Sequence, residues 1–379
     1  LFPLVPGLPR GRSGPRQDID RDVMSLVGHG QHLRRVARRA LHDATGRTRG
    51  NGAIKQSATD AVNDFLHEDR GRRSYRGAMH TIDRAVAIAR DLGVAVEAAQ
   101  ELTGGNQNHV VRLRTTDDDL VVRFARDPEH DRDTFDIETW CLRSAAGAGL
   151  NTSQFIARGQ SEGTSYLVVR YVPGSRPDPG DRAAWRAIGA FTAGLREFPI
   201  REAPEELFSR FGRDLDAAWE SHLEYNLASL VPEDPLIELG VYPRSRQEQL
   251  RETVRFSAER RLPQGVIHGD LSHRNLVRRG NDYTVIDWGA ASVGPVMWGD
   301  LEHLYCWHRV PDPESPVGDA AWAEVLEGAG LIRADAEPIV QELAVLHSLD
   351  VVRWAIDKRP DRLTEISGHS RAVIAAIPI

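Results

Sequence analysis

Three oxygen-bearing side chains fall close together between Val266 and Gly289. Asp270 is followed five residues later by Asn275, and Asp287 follows the polar turn Arg279-Gly280-Asn281-Asp282. The runs Asn275-Leu276-Val277 and Tyr283-Thr284-Val285-Ile286 on either side of that turn predict a hairpin. A hairpin would set Asn275 beside Asp287, with Asp270 just upstream. Phosphoryl transfer needs such a set. One carboxylate takes up or orients the proton of an attacking hydroxyl. A second carboxylate and an amide oxygen hold magnesium on nucleotide phosphates, because that ion prefers hard oxygen donors. The bland alternative is a buried hairpin with acids at its ends. Any one of the acids fits that alternative; the full ordered set fits it poorly.

The spacing Asp270-x-x-x-x-Asn275 matches the protein-kinase catalytic loop, and Asp287-Trp288-Gly289 stands where Asp-Phe-Gly would stand. Gly269 replaces the Arg of the protein-kinase His-Arg-Asp. His268-Gly269-Asp270 followed by Ile286-Asp287-Trp288 resembles the aminoglycoside phosphotransferase and choline kinase family instead, the small-molecule kinases of the protein-kinase-like fold. The resemblance covers roughly Val94 to the C-terminus and is sharpest over 268–289. It implies an α+β, two-lobe architecture with a small antiparallel-sheet N-lobe and a mostly helical C-lobe. It implies ATP or GTP as co-substrate, with Mg2+ held by Asn275 and Asp287 and with Asp270 facing the acceptor hydroxyl. For His268 it implies a supporting role under the loop rather than proton transfer.

The elements that must position this set are legible upstream. Strands are expected around 94–102, 110–113 and 120–124. The turn between the first two contains Gly104, Gly105 and Asn106. A Gly- and Asn-rich turn lets backbone amides approach phosphates. Alone it would be an ordinary hairpin turn, but its place one strand pair before Leu120-Val121-Val122-Arg123-Phe124 favours a phosphate-covering loop. Arg123 stands where kinases place a Lys, and no Lys occurs between Lys55 and Lys358. Arg keeps the charge and offers two donors to phosphate oxygens; the plain alternative is a surface strand Arg. A helix over Asp133–Ala146 follows. By resemblance Glu138 supplies the acid that pairs with Arg123, with Asp136 and Glu129 as competitors. Strands at 155–157 and 166–169 lead to Tyr171 and Val172, which the resemblance makes the hinge whose backbone meets the base.

The C-lobe reads as helices over 185–195, 207–230, 247–261, 322–328, 336–358 and 363–376. Gly294-Pro295 reads as a loop, and Asp300 as the N-cap of the helix that follows. Two groups could line an acceptor pocket. One is Glu302, His303, Tyr305, Trp307 and His308. The other is the helically spaced Asp350, Trp354 and Asp357, an acidic and aromatic face for a cationic ligand. Either group reads equally well as packing and surface. Arg274 could neutralise developing phosphate charge or simply face solvent.

Before Gly93 the pattern differs. Residues 1–17 are rich in Pro, Gly and Arg, and three amphipathic stripes follow, around 23–41, 54–66 and 82–92. No catalytic set appears there. The expected division is therefore a helical extension over 1–93, a nucleotide-binding lobe over 94–172, and a helical lobe with catalytic loop and acceptor site over 173–379. The extension would dock on the same chain or on a second copy, giving a homodimer. Residues 1–93 carry 17 Arg and Lys against 10 Asp and Glu, and the rest carries 31 against 45. The acidic body favours a cationic acceptor by steering. The basic front has no nucleic-acid recognition motif and few interleaved aromatics, which argues against nucleic acid as partner.

The 379 residues contain no apolar run long enough for a membrane span. The first residues are apolar but broken by prolines, unlike a signal peptide. The start at Leu1 rather than Met suggests residues upstream. Cys141 and Cys306 form neither a disulfide framework nor a metal-ligand spacing, as in a reducing cytoplasm. The acceptor is expected to be a hydroxylated small molecule, an aminoglycoside-like or other antibiotic. A metabolic kinase for choline, a sugar or an amino alcohol is the alternative, and a regulatory protein acting through its front segment is a third reading.

Overall fold

In β3 (Leu120–Ala125), alternate residues face opposite sides, as strand geometry requires, and both sides are buried. Leu120, Val122 and Phe124 lie in one apolar cluster, Val121 and Ala125 in another. Two helices explain this double burial. Residues 80–91 form α1, which lays Ala85, Ile88 and Ala89 on the first face. Helix α2 (Thr134–Gly147) sets Phe135, Cys141, Leu142 and Ala145 in the second cluster. The computed structural model describes residues 80–102, 108–125, 134–311 and 316–378. The stripes around 23–41 and 54–66 lie outside them.

The N-lobe sheet adds β1 (Val96–Leu102), β2 (Asn108–Thr115), β4 (Phe155–Ser161) and β5 (Thr164–Arg170) in the antiparallel order β1-β2-β3-β5-β4. Arg84 fastens α1 to this sheet. Its Nη2 donates to the Ser161 carbonyl at 2.5 Å, and its guanidinium lies 4.8 Å from the centre of the Phe124 ring. Ala85 is fully buried against this face, so Ala85→Asp would bury a charge with no partner. We expect it to lower unfolding free energy by about 3 kcal/mol. An unchanged denaturant midpoint would mean that α1 is not docked in solution.

The C-lobe begins after a short hinge. Ser175 and Arg278 exchange backbone hydrogen bonds of 3.1 and 2.8 Å. Gly174 allows this approach, since a Cβ there would meet the Arg278 carbonyl oxygen at 2.3 Å. Then come α3 (Arg182–Gly194), α4 (Leu215–Ser229), the short α5 (Pro235–Glu238) and α6 (Gln247–Glu259). Strands β6 (Gln264–Ile267), β7 (Leu276–Arg279), β8 (Asp282–Val285) and β9 (Ser292–Pro295) frame Asp270, Asn275 and Asp287. Helices α7 (Trp298–Arg309), α8 (Asp319–Gly328), α9 (Arg333–Lys358) and α10 (Leu363–Ala376) complete the lobe. The architecture is α+β, with a five-stranded antiparallel sheet in one lobe and helices dominating the other. No described helix is long and apolar enough to cross a membrane.

Two expectations need correction here. The helix expected over 207–230 begins only at Leu215, where Asp214 caps it by accepting from the Ala217 amide at 3.2 Å; Gly212, with φ at +119°, breaks the chain just before. Gly294-Pro295 is not a loop but the end of β9, paired with Gly265 and Gln264. Proline is tolerated there because β9, in a two-stranded sheet, is an edge strand.

Candidate active site

The hairpin is β7 and β8, with Leu276 opposite Val285 and Arg279 opposite Asp282. It is fastened from two sides. Asp181, the N-cap of α3, spends Oδ1 on the Ala183 and Ala184 amides and Oδ2 on Arg278 Nη1 (3.0 Å) and the Tyr283 hydroxyl (3.1 Å). The loop after α2 pairs with the other edge. Asn151 Nδ2 donates to the Tyr283 carbonyl at 2.8 Å, and Thr152 Oγ1 to the Val285 carbonyl at 2.8 Å. That loop continues from α2, which carries Glu138, so segments of both lobes contact this pair of strands.

Asp270 and Asn275 are joined directly. Asn275 Nδ2 donates to the Asp270 carbonyl at 2.7 Å and to its carboxylate Oδ2 at 3.1 Å. The Asn275 amide oxygen is left for another ligand. Burial pushes the Asp270 carboxyl up to about 6, against the nearby charge of Arg274, whose Nη2 is 3.9 Å from Oδ1. A carboxylate poised there is well suited to accept a hydroxyl proton near neutral pH.

Asp287 occupies the left-handed region, with φ at +68°. Few side chains other than Asn and Asp accept that conformation, and the carboxylate reaches β3 of the other lobe. There Arg123 Nη2 meets Oδ1 at 3.0 Å. Burial works against ionisation of Asp287, but Arg123 and then His268 outweigh it and hold the carboxyl below its ordinary value. Arg123 Nη1 also pairs with Glu138. Burial raises the Glu138 carboxyl, opposed by the Arg123 charge. Asp136 is excluded from that role because it pairs with Arg158, and Glu129 lies outside the described residues. One guanidinium thus ties β3, α2 and the Asp287 loop together. The pairing with Glu138 followed from resemblance; the contact to Asp287, 164 residues away, had no sequence signal.

Trp288 is fully buried among Phe191, Phe198 and His268, and its Nε1 donates to Thr152 Oγ1 at 2.8 Å. His268 is buried beneath the loop. Its Nε2 lies 3.2 Å from the Ile286 carbonyl, which makes that nitrogen the donor, and burial lowers its pKa to about 4. A neutral, enclosed imidazole fits support rather than proton transfer. Asp300 is not the cap of α7: it lies inside the first turn, and Met297 occupies the cap position with no side-chain bond. Its carboxylate accepts instead from the backbone amides of His268 (2.9 Å) and Gly269 (2.8 Å). An acid early in a helix gives the same sequence signal in either role.

Of the remaining predicted positions, Gly104, Gly105 and Asn106 lie outside the described residues. Tyr171 and Val172 follow β5 at the hinge. The Tyr171 amide already donates to the Asp119 carbonyl at 2.8 Å, and its ring carries the Arg112 guanidinium at 3.8 Å.

A family model described as the phosphotransferase enzyme family matches residues 98–336. The chain belongs to that family. Its fold is the kinase-like fold of the aminoglycoside phosphotransferases. The solved GDP and kanamycin complex of APH(2")-IIia is 18% identical, with a TM-score of 0.54 over 78% of this chain and 99% of that one. ADP-bound aminoglycoside phosphotransferase APH(2'')-Ib is 15% identical, with a TM-score of 0.53 over 79% and 100%. Aminoglycoside phosphotransferase APH(4)-Ia is also 15% identical, with a TM-score of 0.53 over 77% and 97%. No curated protein matches. In this phosphotransferase the expected acceptor groups are dispersed. Tyr305 and His308 pack against Trp322, away from the hairpin, whereas His303 and Trp307 share the side of α7 that meets Arg274, with Arg274 5.4 Å from the Trp307 ring. Asp350, Trp354 and Asp357 lie along one side of α9 but share no exposed surface. Asp350 is paired with His222, Trp354 is buried and Asp357 is exposed, because α9 runs through the core at 351–355 before emerging.

Proposed function

We propose that this phosphotransferase moves the γ-phosphoryl group of ATP or GTP to a hydroxyl of a small molecule. The observation that carries the proposal is the joined set on one hairpin: Asp270 bonded to Asn275, and Asp287 turned toward Arg123. Asp270 receives the acceptor proton late in an in-line displacement. Arg123, braced by Glu138, holds phosphate oxygens, and the turn at Gly104, Gly105 and Asn106 covers them. The Val172 amide, beside Tyr171, meets the base.

Asn275 and Asp287 are the residues that would hold Mg2+. The donor set fits that ion. Among the described residues no group of three or more His, Cys, Asp or Glu gathers as a metal cage, and magnesium on a nucleotide takes one or two protein oxygens and the rest from phosphates and water. When bound, the ion offsets phosphate charge. The proposed division of labour leaves transfer to residues 94–172 and 173–379, with residues 1–93 as an accessory segment. Two buried free cysteines fit a cytoplasmic setting.

An antibiotic acceptor, of the aminoglycoside kind first, is the class to screen, followed by choline-like, sugar and amino-alcohol metabolites. The test is release of nucleoside diphosphate that depends on added acceptor and on magnesium, with the phosphorylated product identified by mass. Nucleotide hydrolysis indifferent to every acceptor would count against the proposal.

A further inference from the structure

One hydroxyl of the N-lobe holds the chain on both sides of Asp287. Thr152 Oγ1 donates to the Val285 carbonyl at 2.8 Å and accepts from Trp288 Nε1 at 2.8 Å. Chemistry fixes both roles, since a carbonyl oxygen only accepts and an indole N–H only donates. Val285 lies two residues before Asp287, and Trp288 one residue after it. Ile286, between them, is held from the C-lobe. Its amide donates to the Asn275 carbonyl at 2.9 Å, and its carbonyl accepts from His268 Nε2 at 3.2 Å.

Asp287 needs such support. A non-glycine residue stays at a φ of +68° only where its surroundings impose that conformation. Asp287 flanks the short turn Trp288–Ala290, and the Trp288 ring that anchors this turn is fully buried. Buried N–H groups are bonded in native structures, and the Thr152 hydroxyl is the partner of this one. Without it the ring would have to shift to satisfy its N–H, and the turn would move with the ring.

Thr152 is in turn tied to α2. The Leu150 amide closes the end of that helix on the Ala145 carbonyl at 3.0 Å, and the Val285 amide donates to the Asn151 carbonyl at 3.0 Å. The same helix carries Glu138, which pairs with Arg123, and Arg123 meets the Asp287 carboxylate. Helix α2 thus reaches Asp287 by two routes: through Arg123 at the carboxylate, and through Thr152 at the residues flanking it.

We propose that Thr152 is a positioning residue for the metal-binding carboxylate, its hydroxyl holding Asp287 where magnesium can be shared with Asn275. This rests on the proposed phosphotransferase reading and on Asp287 as the residue that would hold Mg2+. Thr152 acts through Asp287 and touches neither nucleotide nor acceptor.

The test compares four variants of the full chain. Thr152→Val keeps the side-chain size and removes the hydroxyl, whereas Thr152→Ser keeps the hydroxyl. Trp288→Phe removes the indole bond from the other side and decides the matter should Thr152→Val not fold. Asn151→Ala removes bonds to Tyr283 and Thr284, so it loosens the hairpin away from Asp287. Calorimetry measures the gain in affinity for a non-hydrolysable ATP or GTP analogue when magnesium is added. Indole proton–nitrogen spectra report the Trp288 bond in the nucleotide-free protein. Loss of a group that orients a metal ligand weakens metal binding about 10–100-fold. Thr152→Val should therefore cut the magnesium-dependent gain about tenfold or more, with metal-free affinity within about twofold. Its Trp288 indole proton should move upfield. Trp288→Phe should also cut the gain, Thr152→Ser should keep most of it, and Asn151→Ala should lower the unfolding midpoint but leave the gain within about twofold. A wild-type gain in Thr152→Val, or in Trp288→Phe if that variant decides, overturns the inference. So does a loss in Asn151→Ala or Thr152→Ser as large as in Thr152→Val. A wild-type protein that gains nothing from magnesium would instead remove the assignment of the ion to Asp287, and this inference with it.

Discussion

Asp270→Ala is expected to reduce phosphoryl transfer by about 10³-fold, in the range for loss of a positioned general base, while nucleotide affinity stays nearly unchanged. The asymmetry follows from position. Asp270 touches Asn275 and stands near Arg274, whereas the groups assigned to the phosphates, Arg123 and Glu138, pair with each other and with Asp287. Removing the carboxylate leaves those contacts in place. Single-turnover rates and nucleotide titration on the folded variant separate the two quantities. Transfer within about tenfold of wild type would withdraw Asp270 from the role of base.

The second large effect is expected at Gly269. Its φ is +79°, and a Cβ there would lie 2.1 Å from the Ala290 carbonyl oxygen. That oxygen belongs to the backbone turn just after Asp287-Trp288-Gly289, so neither side can yield by rotating a side chain. Gly269→Ala must either turn the Asp270 loop or push the Asp287 loop outward. Displacement of reacting groups by about 1 Å costs about 10²-fold, and we expect at least that loss in transfer. The fold as a whole should survive, since strain at one backbone position costs about 1–3 kcal/mol. A variant with wild-type transfer would show that the two loops do not pack as described.

The contact at Gly269 also shows where sequence reading succeeds and stops. The hairpin, the Asp270–Asn275 spacing and the positions of the N-lobe strands were legible because each is a local pattern: alternation, a polar turn, a fixed spacing. That His-Gly-Asp replaces His-Arg-Asp was visible too. The reason was not, because the atom that forbids a side chain belongs to Ala290 in a separate loop. Asp300 was misread for a similar cause. Its partners, the amides of His268 and Gly269, lie 32 and 31 residues upstream, and an acid in the first turn of a helix looks the same whether it caps that helix or holds another segment. For the acceptor candidates, spacing did not give the surroundings. Helical spacing grouped Asp350 with Trp354 and Asp357, but it could not show that α9 is buried through 351–355 or that His222 and Arg210 arrive from α4 and the loop before it.

The most direct measurement is calorimetric titration of a non-hydrolysable ATP or GTP analogue, with and without magnesium, into the wild-type protein and Asp287→Ala. Asp287 is the carboxylate proposed to hold the ion, and the variant keeps the Arg123–Glu138 pair proposed to receive the phosphates. Wild-type binding should tighten clearly with magnesium, and Asp287→Ala should lose about tenfold or more of that metal-dependent affinity while retaining its weaker metal-free binding. Affinity that is indifferent to magnesium in the wild type, or metal-dependent affinity unchanged in the variant, would contradict the assignment of this site to nucleotide phosphoryl transfer.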